Sequence, residues 1–420
     1  MMSSAPGQSP QLIVIGAGMT GLSCAIHLTR SGRRVTVLEA SDAVGGRVRT
    51  DLVDGFRLDR GFQVLLDAYP ECRELLDYSA LDLKPFYAGA LVRFKGEFHT
   101  IADPWRHPID AAKGFLSPVS SLTDKARLAP MGLKIIRSSL DSIWSRPERA
   151  TIDLLREAKL SDAVIDRFFR PFFGGVFFDR DLNTSSRMFE FCFRMFAKGH
   201  ATVPASGMQA IPEQLAAHLP DGSIRLNTRV ASVDATGVTL ESGERLDGTP
   251  ILATDIDRAR ELLGAQALPP REWNSTITMH YSADAPPIDK PILILDGDGT
   301  GPVNHLAVMT NTAPSYAPEG KALIAANIVG SRPEIDQELD ALCRDQLTEW
   351  FGNPVRAWRL LRIDRINHAL PRQPPGTLTP HEREFTTDSG IIVCGDHLAD
   401  TSLNGAMGSG KRAARILLDH

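Results

Sequence analysis

The 420 residues predict two or three domains, since a domain averages about 150 residues. With 43% hydrophobic and 23% charged residues, the composition excludes collagen, coiled coil and wholesale disorder. The net charge of −5 leaves no basic surplus, so we expect no nucleic-acid partner.

The hydropathy and the cysteine spacing predict the compartment in which the protein is found. The first ten residues lack a basic region followed by an apolar stretch, and nowhere do about 20 apolar residues run uninterrupted. We therefore expect a soluble, cytoplasmic protein, whose oligomeric state stays open. No CxxC pair occurs, so we expect neither a metal site nor a disulfide framework. The cysteines are instead predicted to be buried thiols in a reducing compartment: Cys24, Cys72, Cys192, Cys343 and Cys394.

The first predicted elements are a buried strand from Leu12 to Ile15 and a helix that ends near Arg30. In the GxGxxG turn between them, the first glycine permits the turn, the second admits a pyrophosphate and the third allows close helix packing. The helix N-terminus adds free N–H groups and the positive end of its dipole. This context predicts a nucleotide site at Gly16, Ala17, Gly18, Met19 and Gly21.

The next predicted strand runs from Arg34 to Glu39 and ends on an acidic residue. Glu39 follows Gly16 by 23 residues, and its carboxylate can accept both hydrogen bonds of a ribose diol. A 2′-phosphate would be repelled there, so NADP is not expected. Glu39 and Ala40 are cofactor-binding candidates, although this motif alone does not choose between NAD and FAD.

A glycine pair follows directly, at Gly45-Gly46-Arg47, and suits a chain that wraps again around a larger, phosphate-bearing cofactor. The strings GAGMTGL, VTVLEAS and GGRVRT together resemble the opening of the superfamily of flavin amine oxidases, protoporphyrinogen oxidases and phytoene desaturases. That superfamily binds FAD. The resemblance implies non-covalent FAD, with Gly45, Gly46 and Arg47 among its contacts.

The C-terminal stretch 391–415, IIVCGDHLADTSLNGAMGSGKRAAR, resembles the same superfamily and is most similar to its desaturase version. The resemblance implies that Gly395 and Asp396 meet the ribityl chain and that the following helix points its N-terminus at the flavin ring. Negative charge on reduced flavin would then be stabilised by backbone N–H groups around Ala406 and Met407. The implied contacts in this helix are Asn404, Gly405, Ala406 and Met407.

Stretches between the two ends, at 55–66, 204–220, 223–234 and 245–263, resemble the superfamily in the same order. Val230 would touch the adenine through its backbone. The segment beside the isoalloxazine would be Arg60, Gly61, Phe62, Gln63 and Val64.

The implied fold class is α/β: a Rossmann-like FAD-binding domain, glutathione-reductase-type and doubly wound, interleaved with a mixed α+β substrate domain. The FAD-binding domain would gather 1–84, 201–270 and 381–420. The substrate domain would take 85–200 and 271–380, with a helical part at 105–200.

Ten of the 18 phenylalanines lie between Phe168 and Phe196. Two interpretations stay open: a helical core, or an apolar cavity facing the flavin, in which Gly174 and Gly175 allow close approach. A cavity would imply a large lipophilic substrate.

The stretch 123–144 mixes basic and apolar residues at helical spacing, which fits an inward-packing surface helix or peripheral membrane contact. Pro130 should kink it.

The predicted function is an FAD-dependent oxidoreductase of desaturase or dehydrogenase type. A hydride would pass from a C–H of a lipophilic substrate to flavin N5, and oxygen or a quinone would reoxidise the flavin. The alternatives are an amine oxidase that releases peroxide and a flavin-binding protein without redox turnover. The C-terminal segment argues against a third alternative, an NAD-linked dehydrogenase.

Catalytic residues beyond the flavin stay open. The stretch from His397 to Thr401 lacks the aromatic residue that many amine oxidases place there as a wall for the amine, which disfavours amine oxidation. His27 is expected to be a core or surface histidine, whereas His397 could approach the flavin or be structural. Lys290 is only the nearest candidate in sequence order for the lysine that related enzymes often hold near N5. Cys394 has no pattern for covalent attachment of flavin.

Overall fold

The fold is described from a computed structural model that covers residues 11–381 and 383–419. The predicted N-terminal features at 1–10 lie outside these residues. The strands are β1 (Leu12–Ile15), β2 (Val35–Leu38), β3 (Thr50–Val53), β4 (Phe56–Asp59), β5 (Leu65–Leu66), β6 (Leu83–Pro85), β7 (Gly89–Phe94), β8 (Glu97–Ala102), β9 (Ala201–Pro204), β10 (Ile224–Arg225), β11 (Val230–Asp234), β12 (Gly237–Leu240), β13 (Arg245–Asp247), β14 (Thr249–Leu252), β15 (Trp273–Ala283), β16 (Leu293–Asp296), β17 (His305–Val308), β18 (Ala322–Val329), β19 (Arg359–Pro371), β20 (Phe385–Thr386) and β21 (Ile392–Val393).

The α-helices are α1 (Met19–Arg30), α2 (Pro70–Leu75), α3 (Pro108–Lys113), α4 (Leu122–Arg137), α5 (Leu140–Trp144), α6 (Thr151–Glu157), α7 (Asp162–Val164), α8 (Arg170–Phe177), α9 (Ser186–Lys198), α10 (Ala210–Ala216), α11 (Ile256–Leu263), α12 (Met309–Thr312), α13 (Asp336–Phe351) and α14 (Leu403–Leu418). Short 3₁₀ turns occupy Gly114–Leu116, Pro314–Tyr316, Asn353–Ala357 and Asp396–Leu398, and a π-helical turn occupies Ile165–Phe169.

A six-stranded sheet in the order β10-β2-β1-β14-β21-β20 supports the predicted nucleotide motifs. All its pairs are parallel except the edge pair β20–β21. β1 is buried along its whole length, as expected of a central parallel strand with both faces covered. The α/β fold with a parallel sheet is confirmed, while the Rossmann subtype and the domain boundaries stay predictions.

A second sheet has seven strands in the order β19-β15-β18-β17-β16-β7-β8. Its long strand β15, next to the edge strand β19, pairs antiparallel with β18 and β19. Helix α13 covers part of this sheet, since Leu339, Cys343 and Leu347 belong to its core. A larger core links the six-stranded sheet to helices α5, α6, α8 and α9. The chain therefore brings two sheets and a helical layer together around one region.

The phenylalanine-rich segment forms α8, α9 and the turn before α8. Phe169, Phe189 and Phe191 are fully buried, so a helical core accounts for part of this segment.

The stretch 123–144 is helical, but α4 continues through Pro130 and ends at Arg137, where Ser138 breaks the helix before α5. Among the described residues, no helix is long and apolar enough to cross a membrane.

The five cysteines are all buried and free, as predicted. Within 11–381 and 383–419, no cluster of three or more His, Cys, Asp or Glu side chains could hold a metal ion.

Candidate cofactor and substrate site

A cavity of about 690 Å³ lies at the carboxyl ends of the parallel strands and extends to helices α8 and α9. Ligands commonly bind at this edge of a parallel sheet. One part of its lining, the glycine-rich wall, consists of Gly16, Gly18, Glu39, Gly45, Gly46 and Val230. Another part, the phenylalanine wall, consists of Phe172, Gly175, Val176, Phe178, Phe196 and His305.

The glycine-rich turn has the geometry that close approach of a ligand needs. Gly16 has φ +104°, and a Cβ there would meet Ala253 O at 2.7 Å. A Cβ on Gly21 would lie 1.9 Å from Gly16 O, whereas one on Gly18 would meet no atom within 4 Å. Gly18 is also the N-cap of α1, so the space beside it lies against a helix N-terminus.

Glu39 is held in place by backbone and hydroxyl donors. The Ala17 N–H donates to Glu39 Oε2 at 2.7 Å, and both the N–H and the Oγ of Ser41 donate to Oε1. The Gly45 N–H donates to Ala17 O at 2.8 Å, so the two glycine motifs contact one another. This arrangement keeps a carboxylate on the cavity wall beside the turn.

An ion pair joins the two ends of the chain at the cavity. Arg47 Nη2 lies 2.6 Å from Asp396 Oδ2, and Arg47 Nη1 donates to Ala369 O at 3.0 Å. The Asp396 side chain is only 8% exposed, whereas that of Arg47 is 41% exposed. Because a buried carboxylate needs a partner, Arg47 stabilises the loop that follows β21.

The start of α14 borders the cavity through Ser402, Leu403 and Ala406. Ser402 is the N-cap, and its Oγ accepts from the Gly405 N–H at 3.1 Å. The Ala406 N–H donates to Ser402 O at 2.9 Å, so it is not free. The first N–H groups of a helix lack a partner within it, and here they belong to Leu403 and Asn404. The donors expected around Ala406 and Met407 thus lie earlier in the helix.

The segment from Arg60 to Val64 joins the two walls. Gln63 Nε2 donates to Arg47 O at 2.9 Å, and the Phe62 ring packs edge-on at 5.1 Å from the His305 ring. Gly61 has φ +90°, and a Cβ there would come within 2.7 Å of Ile366.

The phenylalanine-rich segment contributes both to the core and to the cavity wall, while the expectation that this cavity faces a flavin stays a prediction. Phe172, Phe178 and Phe196 line the cavity, while their neighbours fill the core. Gly175 allows His305 to pack closely against α8, since a Cβ there would lie 2.8 Å from His305 Nδ1; close approach of a ligand at Gly174 and Gly175 stays a prediction. Cys192 lies on the same side, and burial raises the pKa of its thiol far above the usual value.

Most predicted site residues line this one cavity: Gly16, Gly18, Met19, Glu39, Ala40, Gly45, Gly46, Arg47, Arg60, Gly61, Phe62, Gln63, Val64, Val230, Gly395, Asp396 and Ala406. Five do not contribute to its lining: Ala17, Gly21, Asn404, Gly405 and Met407. Asn404 Oδ1 accepts from the Glu71 N–H at 3.0 Å, and Met407 is buried beside Cys72. Through these contacts the two side chains hold α14 against α2.

Sequence reasoning missed other lining residues, among them Asp255, Arg258, Thr276, His305 and Ile366. Thr276, His305 and Ile366 lie in β15, β17 and β19, where no local motif marks them, while Asp255 caps α11 and Arg258 lies within it. The one available signal was the Asp255 N-cap before α11. The residues left without a role stay outside the cavity: Lys290 pairs with Asp110 at 3.6 Å, and neither His27 nor His397 lines it.

Comparison with known proteins gives one family match over most of the chain. The family described as flavin containing amine oxidoreductase matches residues 19–418.

Curated relatives include proteins of two chemical types. A carotenoid phi-ring synthase of Streptomyces griseus is 27% identical over 344 residues, 72% of this chain and 65% of that protein. An L-amino-acid oxidase of Sistrurus catenatus edwardsii is 24% identical over 304 residues, 66% of this chain and 57% of that protein. The chain thus spans less than two thirds of the length of these relatives.

Among solved structures, an oxidoreductase from Methanosarcina mazei superposes with a TM-score of 0.73 at 18% identity. The superposition covers 98% of this chain and 100% of that one. At this identity the likeness shows the fold alone, and it agrees with the resemblance found at the two ends of the sequence.

Proposed function

The chain belongs to the flavin containing amine oxidoreductase family, and on that premise we propose that it is an FAD-dependent oxidoreductase of desaturase or dehydrogenase type. The substrate is a lipophilic small molecule. The observation that carries the proposal is the single cavity that joins a nucleotide-type glycine turn to an apolar aromatic wall.

The residues present fit FAD. The open space beside Gly18 suits a pyrophosphate, and the Glu39 carboxylate suits a ribose diol. Val230 lies on the same wall, and we propose that its backbone contacts the adenine. The N-termini of α1 and α14 both reach the cavity, so each can face a negatively charged part of the cofactor. We propose the other predicted lining residues as its remaining contacts.

Bound FAD supplies the acceptor for a hydride from a substrate carbon. The chain orients the two partners and excludes water through the phenylalanine wall. The N-terminus of α14, which borders the cavity at Ser402 and Leu403, is suited to stabilise negative charge that develops near it. Oxygen or a quinone is the proposed final acceptor.

The state of the cysteines supports non-covalent binding. Cys394 is buried, its Sγ lies 3.5 Å from Leu252 O, and burial raises the pKa of its thiol to about 12. Cys192 borders the cavity but is also held as a thiol. Because the thiolate is the reactive form, neither is suited to attack a flavin.

Amine oxidation is the second candidate, since an L-amino-acid oxidase is among the relatives. The charge distribution disfavours it. The described carboxylates that line the cavity are Glu39, Asp255 and Asp396, and all three follow strands of the six-stranded sheet. The phenylalanine wall therefore offers an ammonium group no counter-charge. The further alternatives are a flavin-binding protein without turnover and an NAD-linked dehydrogenase.

The test begins with the visible spectrum of the purified protein before and after acid precipitation. A flavin spectrum that moves into the supernatant and is identified there as FAD supports non-covalent FAD. Anaerobic bleaching by isoprenoid or tetrapyrrole probes supports the desaturase proposal. Peroxide formation with primary, secondary or polyamines supports the amine oxidase instead. A colourless protein that stays colourless with added FAD would overturn the cofactor assignment.

We also propose peripheral membrane contact, through a surface adjacent to 123–144. Within 123–144, Leu128, Met131 and Ile135 pack inward, while Leu133 is 39% exposed. Just before it, Trp105, Ile109, Phe115 and Leu122 are 80%, 71%, 52% and 55% exposed. Exposed Lys113 and the Lys125 ammonium, 5.1 Å from the Phe115 ring, add positive charge for anionic lipid.

Co-sedimentation with phosphatidylglycerol and phosphatidylcholine vesicles tests this contact. The double change Trp105→Ser and Ile109→Ser should abolish binding, while Leu52→Ser, at a leucine that is 72% exposed elsewhere, should not. Equal binding of all three proteins would refute the proposed surface.

A further inference from the structure

His305 is a polar residue in the otherwise apolar phenylalanine wall. It begins β17, a strand within the seven-stranded sheet, and is 3% exposed. Its ring borders the cavity beside Phe62, Phe172 and Leu293. Strand β17 therefore carries an imidazole to the place where a lipophilic ligand would lie.

Asn304 fixes the tautomer of this imidazole. Asn304 Nδ2 donates to Pro171 O at 2.8 Å, and because a carbonyl can only accept, the amide can have one orientation. The same Nδ2 lies 3.0 Å from His305 Nδ1, which must then be the acceptor. The ring hydrogen is therefore on Nε2. Burial lowers the pKa of His305 to about 3, so the ring stays neutral at physiological pH.

His305 Nε2 has no hydrogen-bond partner among the described residues and is shielded from solvent. Buried polar groups are nearly always paired, so an unpaired N–H at a cavity wall marks a site where a ligand supplies the partner. The Phe62 ring is only half-buried and packs edge-on against the imidazole. Rotation of this one side chain is the movement that we expect to uncover the hydrogen.

We propose that His305 is a substrate-positioning residue whose Nε2–H donates to an oxygen atom of the substrate. This inference rests on the proposed function and deepens it. The substrate class becomes a lipophilic molecule with a carbonyl, hydroxyl or carboxylate oxygen, and a pure hydrocarbon is disfavoured. A site built to donate a hydrogen bond rejects an analogue that lacks the acceptor, because the buried donor is then left unpaired.

The test compares two probes of the same carbon skeleton, the C13 ketone β-ionone and its deoxygenated hydrocarbon. Their binding to the FAD-loaded protein is measured by calorimetry, which does not depend on turnover. We expect the ketone to bind about tenfold more tightly, as one hydrogen bond allows. In His305→Phe the two affinities should agree within about twofold, and in His305→Gln, which keeps a donor, part of the preference should return.

Phe172→Leu is the matched control, because it changes the same wall without touching a donor. It should weaken both probes alike. Ring-¹⁵N spectra of the histidine-labelled protein should show a neutral, Nε2-protonated ring, whose signal moves with the ketone and not with the hydrocarbon.

Equal affinities for the two probes in the unaltered protein, or no binding of either, would overturn the inference. A change of the flavin spectrum in ligand-free His305→Phe would also overturn it, since the acceptor would then be a flavin oxygen. These outcomes are separate from failure of the proposed function, which would appear as a protein that holds no FAD.

Discussion

The two walls of the cavity are built by opposite means. The glycine-rich wall comes mostly from short turns between residues 16 and 46, where the Ala17 N–H donates to the Glu39 carboxylate, and only Val230 comes from a distant strand. The phenylalanine wall is assembled from the neighbouring helices α8 and α9 and from β17, which lies more than a hundred residues later and meets α8 at Gly175. The first wall therefore has a local sequence signature, whereas the second depends on packing.

The largest expected effect follows from crowding the glycine-rich wall. In Gly21→Ala the new Cβ would meet the Gly16 carbonyl oxygen at 1.9 Å, so backbone must shift. We expect a loss of about 3 kcal/mol in the free energy of unfolding and no retained FAD. Denaturant unfolding and the flavin-to-protein ratio measure the two effects.

Gly18→Ala is its matched control, because a Cβ there meets no atom within 4 Å and φ is −73°. It should unfold like the unaltered protein and yet bind FAD more weakly, since the methyl occupies cofactor space. Full flavin content in Gly21→Ala would contradict this account of the wall.

Breaking the ion pair between Arg47 and Asp396 should lower the free energy of unfolding by less than Gly21→Ala does. Arg47→Ala leaves a nearly buried carboxylate without its partner, which we expect to cost about 2 kcal/mol. The exposed pair of Arg225 and Glu244 serves as comparison, and Arg225→Ala should cost less than about 1 kcal/mol. Equal losses in the two variants would show that burial of Asp396 is unimportant.

A change in the phenylalanine wall should separate substrate binding from cofactor binding. Val176→Trp adds bulk to that wall, and we expect the Kd of β-ionone to rise about tenfold while FAD content is unchanged. Leu342→Trp, at an exposed site on α13, should alter neither. Loss of FAD from Val176→Trp would mean that the two walls cannot be varied independently.

The smallest effect concerns acid stability. Because the folded-state pKa of His305 is lowered to about 3, the unfolded chain binds the proton first when the pH falls below about 6.5. Stability is thus complete above that pH and declines toward pH 3. In His305→Phe this decline should be shallower, which Tm measurements from pH 7 down to pH 4 would detect. His218→Gln, at an exposed position, should keep the slope of the unaltered protein.

Local chemistry made the glycine-rich wall predictable. GxGxxG between a strand and a helix requires particular backbone angles and close contacts, and Gly16 and Gly21 have them. The start of α14 was predicted less accurately, because the unpaired N–H groups depend on which residue caps the helix. Ser402 does so here and places those donors at Leu403 and Asn404.

The sequence by itself determined the family and the parallel α/β fold, because glycine turns and buried strands carry their constraints in adjacent residues, and it predicts a site for a flavin nucleotide. Only the tertiary structure decided which phenylalanines face the cavity and which fill the core. It also decided that Asn304 orients His305 toward a neutral Nε2–H tautomer beside the cavity. The orientation of Asn304 depends on its contact with Pro171, more than a hundred positions away, and no local spacing encodes that contact.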